Sequence, residues 1–316
     1  MAALREIVAR AQDTLVTRSE KQTRLSRRWV EPALPELQQL LHTHRQNVDE
    51  EFRRGKGPTP AEAALVDGET VPALYPVGYC QYIRDAVWDC LQNEKLIQEF
   101  RRRGLEWKKV YFIEAGAHFQ NAIQLGDYLL NVAHNTVEAD AEPVVCALFS
   151  EVEHENLDDW VRYAVIAEPY YHCRLYPNYY FPLAFPLAPF MAIQSNGRLA
   201  LLYYQDLLFH RDLGQGWRRT RELLQSPWWA SRRLPASAEA MLEKFCHTHA
   251  PGAFPLEFRE SSIEEIERLL DEWNQVRSLP DKELILTLKK LGEVTREAAL
   301  TLRRADLRIT PEQSAP

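Results

Sequence analysis

The segments Val110-Tyr-Phe-Ile113 and His118-Phe-Gln-Asn-Ala-Ile-Gln-Leu-Gly-Asp-Tyr-Leu-Leu-Asn-Val132 mark where this chain changes character. Apolar, β-branched and aromatic residues run together in both, and Gly126-Asp127 between two such runs suits a tight hairpin turn. The reading is one strand over 110–113 and two more paired through 126–127. Upstream the texture is helical. Ile83, Val87, Cys90 and Leu91 share one face of a helix expected from Cys80 to about Phe100, and Gly104 after three arginines ends it. A helix followed by an antiparallel meander, with further helices at both ends of the chain, reads as an α+β protein.

Working outward, Leu4, Ile7, Val8, Ala11 and Leu15 repeat at helical spacing, as do Leu37, Leu40, Leu41, His44, Val48 and Phe52. Gly55 to Pro60 breaks that pattern. A helical pair over 1–57, an α+β core over 58–225 and a helical segment over 226–316 are therefore expected. Within the core lies a block dense in tyrosine, phenylalanine and proline, from Tyr170 to Phe190. Asn196-Gly197 follows between two apolar runs, a strong hairpin signal. Because both alternating sets of that hairpin are apolar, burial on both faces is expected. Ser262-x-x-Glu265 reads as a capping box opening a helix, another helix starts at Asp281, and residues beyond about Arg308 read as a frayed tail.

The 316 residues carry a formal net charge of −7, 46% hydrophobic and 26% charged residues. That balance fits a globular protein and argues against a nucleic-acid binder, since the basic runs at Arg101–Arg103 and Arg218–Arg221 are short. Five cysteines without a Cys-x-x-Cys pair indicate neither a disulfide framework nor a zinc knuckle. The amphipathic, charged N-terminus lacks an apolar signal core, and Leu175 to Gly197 is broken by four prolines, so no membrane span is expected. A cytoplasmic setting follows as the expectation, and signal-less secretion as an effector is equally compatible.

Cys80 stands at the join of a turn and a helix, in Tyr75-Pro-Val-Gly-Tyr-Cys80. A helix N-terminus favours the thiolate, which is the nucleophilic form. His118 opens the first arm of the hairpin and could act as base, and Asn131 on the returning arm could orient it. This order of Gly78-Tyr-Cys80, strand, histidine on a hairpin and amide on the return resembles the papain-like thiol superfamily, in its transglutaminase-like and arylamine N-acetyltransferase-like branches. The resemblance covers residues 75–135. It implies a papain/transglutaminase-like core, a helix packed on an antiparallel sheet, with Cys80 as nucleophile, His118 as general base and Asn131 as orienter. It further implies acyl transfer through a Cys80 thioester on a protein, peptide or small amide substrate: hydrolysis, deamidation or transfer to an amine. No cofactor and no metal are expected. Asn131 stands where these two branches mostly use Asp, the gap from His118 is short for the family, and Gln81 or a backbone N–H would serve the oxyanion.

A second reading uses the same residues differently. Cys80 shares a helix face with Ile83 and Val87, so a small buried hydrophobe accounts for it. The chain would then be a non-catalytic interaction or adaptor protein, using its helical ends and an aromatic surface. Other motifs carry less. His210-Arg-Asp212-Leu matches a kinase catalytic loop, but Trp217 occupies the place of the magnesium-binding Asn. His210 and Asp212 lack a suitably spaced third ligand for iron, and the pair reads more simply as a capped strand end. His42-Thr-His44 and His247-Thr-His249 cannot chelate from one helix face, and Glu151-x-x-His154 lacks the second copy that a di-iron bundle needs.

Overall fold

The computed structural model describes residues 2–57, 75–76, 78–137, 140–203, 206–248 and 256–309. Pro58 to Pro60 of the expected linker, Tyr204, His249 and the tail after Ile309 lie outside the described residues. Two compact units are formed, one by Asp13–Leu157 and the other by Met1–Gln12 with Asp158–Pro316. The α+β organisation is present in both. The unit boundary falls at 157/158 rather than at 57 and 225, because a helix joins whichever elements bury its apolar face, and α1 packs on helices of the second unit.

The first helix, α1 (Ala2–Gln12), belongs to the second unit. The unit over 13–157 starts with α2 (Glu20–Trp29), which the sequence reading missed, and α3 (Leu34–Arg53). Ser19 caps α2 by accepting from the Gln22 N–H. Leu37, Leu41, Arg45 and Val48 are the buried face of α3. Next come α4 (Cys80–Leu91) and α5 (Lys95–Arg102) in place of one helix to Phe100: Glu94 is extended and separates them. Gly104, at φ +84°, ends α5 as expected.

Five antiparallel strands follow: β1 (Trp107–Glu114), β2 (His118–Leu125), β3 (Tyr128–Asn131), β4 (Val145–Leu148) and β5 (His154–Asn156). Their spatial order is β4-β3-β2-β1-β5. The β1–β2 register is unbroken from Trp107↔Leu125 to Glu114↔His118. Gly126 makes the expected turn at φ +59°, and a Cβ there would run into Ser26 Oγ and Leu105 Cδ2. Unbroken register makes side chains alternate strictly between the two faces. Ile123, Leu125, Tyr128 and Leu130 pack with Ile83, Val87 and Leu91 of α4 and with the apolar face of α3. Val110, Phe112, Ala122 and Leu129 pack on the other side with Val16 and Phe149.

The second unit has α6 (Trp160–Tyr170), capped by Asp159 through the Arg162 N–H, and a three-stranded antiparallel sheet of β6 (Cys173–Pro177), β7 (Phe190–Gln194) and β8 (Leu199–Leu202). Gly197, at φ +80°, joins β7 to β8. Phe190 to Ile193 are all buried, so β7 is covered on both faces as expected, whereas on β8 Leu199 and Leu201 are buried and Ala200 and Leu202 only partly, so burial on both faces holds for one strand of the hairpin. The aromatic block is core and not an aromatic surface: Tyr176, Tyr179, Tyr180, Phe181, Phe185 and Phe190 are buried. The remaining helices are α7 (Asp206–Gly214), α8 (Arg218–Leu224), α9 (Pro227–Ala230), α10 (Ala236–Thr248), α11 (Ile263–Val276) and α12 (Asp281–Ala305). Ser262 caps α11 as the capping box required. No helix among the described residues is long and apolar enough to cross a membrane.

Candidate functional site

Cys80 is the first residue of α4, with Gly78 at φ +80° allowing the turn before it. Its thiol is not left exposed at the tip: the residue is 8% exposed and sits in the apolar cluster between α4 and the sheet. The side chain that meets Sγ is Asn121, whose Nδ2 donates to the sulfur at 3.3 Å. Arg84, one turn along α4, donates from Nη1 to Asn121 Oδ1 at 2.8 Å and pairs with Asp85 at 2.9 Å. That second bond turns the amide so its N–H₂ faces the sulfur. Burial pushes the Cys80 thiol above its ordinary value. The Asn121 bond, the Arg84 charge and the backbone N–H groups of Gln81 and Cys80 oppose that shift without cancelling it.

His118 and Asn131 lie across the sheet from this thiol. On β2, Asn121 and Ile123 share the α4 face, so His118, Gln120 and Ala122 point the other way. The β2–β3 register sets Leu130 opposite Ile123 and Leu129 opposite Gln124, which puts Asn131 on the His118 face as well. The expected Cys80–His118–Asn131 arrangement is therefore not assembled. His118 and Asn131 share a face, and Cys80 packs on the reverse face of the sheet. His118 bonds Glu114 through Nε2 at 3.3 Å, and Asn131 Nδ2 meets His134 Nδ1 at 3.3 Å. Gln120 Nε2 donates to the same Glu114 oxygen at 3.0 Å.

Glu114 is thus the centre of a second polar cluster. Burial would raise its carboxyl, but the bonds from His118 and Gln120 and the charges of His118 and His134 hold it below its ordinary value. A carboxyl lowered in the folded state stabilises above its unfolded pKa and loses that contribution as pH falls through the folded value. The wild-type chain should accordingly lose urea resistance from about pH 4.3 downward. Glu114→Gln should show a shallower decline over the same window, and parallel curves for the two proteins would refute the assignment.

The remaining motifs resolve into structure. Asp212 does not end a strand; it is in α7 and caps α8, accepting from the N–H groups of Arg219 and Thr220 at 2.8 Å each and from the Thr220 hydroxyl. His44 pairs with Glu94 at 2.9 Å, and His154 packs edge-on against Phe112 and Phe149. Among the described residues no group of three or more His, Cys, Asp or Glu is disposed to hold a metal ion. Sequence reading missed Asn121, Arg84, Glu114 and His134. Strand parity counted back from Ile123 would have put Asn121 toward the helix, had the buried face of β2 been known. Comparison with family models, curated proteins and solved structures found no match to this chain.

Proposed function

We propose that this chain is a protein-interaction module whose 80–131 region keeps a helix-tip thiol over an antiparallel sheet without using it for acyl transfer. The observation that carries this reading is the 3.3 Å contact between Cys80 Sγ and the Asn121 amide, at the position where a base would have to stand. An amide cannot accept the thiol proton at neutral pH, whereas an imidazole can. The raised Cys80 thiol points the same way. Leu286 on α12, which is 57% exposed and outside the groove bordered by α1, α7 and α12, is open to a partner.

Alkylation tests it. With iodoacetamide at pH 7, Cys80 should react more slowly than the exposed Cys90. Asn121→His, which offers the sulfur a base, should speed Cys80 alkylation by about tenfold or more. Cys80→Ala should cost about 1 kcal/mol or more of stability, as loss of buried atoms does. Rapid, selective labelling of Cys80 in the wild-type protein would overturn the reading and return the thiol to catalysis.

A further inference from the structure

Within the second unit, α1, α7 and α12 border an open groove of about 560 Å³. Its size is that of a small-molecule site. Asp281, the first residue of α12, accepts from the N–H groups of Ala2 and Ala3 at 3.2 and 3.0 Å, so α1 and α12 begin side by side. The groove residues from the earlier turns of these helices are mainly apolar, Ala3 and Ile7 from α1 and Ile285 and Leu288 from α12, with Glu6 of α1 beside them. The other charged ones come later: Arg10 on α1, then Lys289, Glu293 and Arg296 on α12. One end is mainly apolar, with Glu6 at its edge, and the other carries Arg10, Lys289 and Arg296 against the single carboxylate of Glu293.

Two details argue for a ligand there. Arg10 pairs with Glu6, and Lys289 with Glu293 at 3.7 Å, whereas Arg296 has no ion pair or hydrogen bond among the described residues. The groove therefore keeps one uncompensated guanidinium at its polar end. Gly292 is the second detail. It lies inside α12, where glycine costs about 1 kcal/mol relative to alanine. A Cβ there would meet only Tyr203 Oη, at 3.4 Å, an ordinary contact. Packing does not demand a glycine at that position; its effect is to leave the groove wall bare between the apolar and cationic ends.

We infer that this groove binds a single-chain amphiphilic carboxylate, a fatty acid, with its tail along Ile7, Ile285 and Leu288 and its head at Arg296. The inference is independent of how Cys80 is used. The volume suits one chain, and a carboxylate is an anion whose geometry a guanidinium matches with paired bonds.

The test is calorimetric titration of the full chain with dodecanoate below its micelle concentration. Saturable binding of one dodecanoate per chain is expected, with much weaker binding of dodecyltrimethylammonium. Arg296→Glu, an exposed change that leaves the fold alone, should weaken dodecanoate by about tenfold or more. Gly292→Leu should abolish it by filling the wall, while Gly292→Ala serves as a folding control. No saturable binding, equal binding of the cationic amphiphile, or full affinity in a folded Arg296→Glu protein would each overturn the inference.

Discussion

Replacing Arg45 by alanine should lower the stability of the unit over 13–157 by about 3–5 kcal/mol, as removal of one partner from a buried ion pair does. Arg45 is 1% exposed. Its Nε bonds Asp49 Oδ1 at 2.8 Å, and its Nη1 donates to the Val132 carbonyl at 2.8 Å and to Asn135 Oδ1 at 3.1 Å. Asp49 also accepts from the Tyr75 hydroxyl, so one guanidinium ties α3 to the turn before α4 and to the chain leaving β3. Alanine would leave Asp49 with a single neutral donor and the Val132 carbonyl without its partner. Burial and the Asp49 bond push the Tyr75 phenol up, and loss of the Arg45 charge would push it further. Arg45→Met keeps most of the buried volume and should lose less than alanine. Urea unfolding checks both, and a loss under about 1 kcal/mol for alanine would mean water replaces the guanidinium.

Asp212→Ala should cost about 2–4 kcal/mol, through the combined loss of a helix cap and of charge-assisted bonds. Asp212 is 1% exposed and serves three donors at the start of α8. Alanine leaves the Arg219 and Thr220 N–H groups without an acceptor where Trp217 already holds a left-handed conformation at φ +65°. Asp212→Asn retains one acceptor oxygen and should cost less. Thermal unfolding of both variants measures the difference. Equal stability of wild type and alanine variant would show that α8 forms without this cap.

The elements whose apolar spacing is strong were legible in the chain. The strand at 110–113, the hairpin turned at Gly126-Asp127, the α4 start at Cys80, the Asn196-Gly197 hairpin and the Ser262 cap all stand where local chemistry put them. Each depends on interactions within a few residues: a turn conformation, a capped N–H, a repeating face. Short polar stretches were less legible. The helix at 20–29 has only Leu25 and Trp29 as apolar residues, and nothing apolar marks the α4–α5 break at Glu94.

The composition of a site is a different matter from the composition of a segment. Cys80, His118 and Asn131 have residue types and an order that suit a triad, and nothing local distinguishes His118 from Asn121 as the residue facing α4. That choice belongs to the face of β2 on which α4 packs. Both faces of β2 are buried, so the hydrophobic pattern along it marks neither as the α4 face. A shift of one residue exchanges every side chain between the faces. The sequence by itself determined an antiparallel meander behind a helix that begins at Cys80. Only the tertiary structure decided that the thiol meets an amide, because which side of a doubly buried strand faces a given helix is settled by packing across the whole sheet.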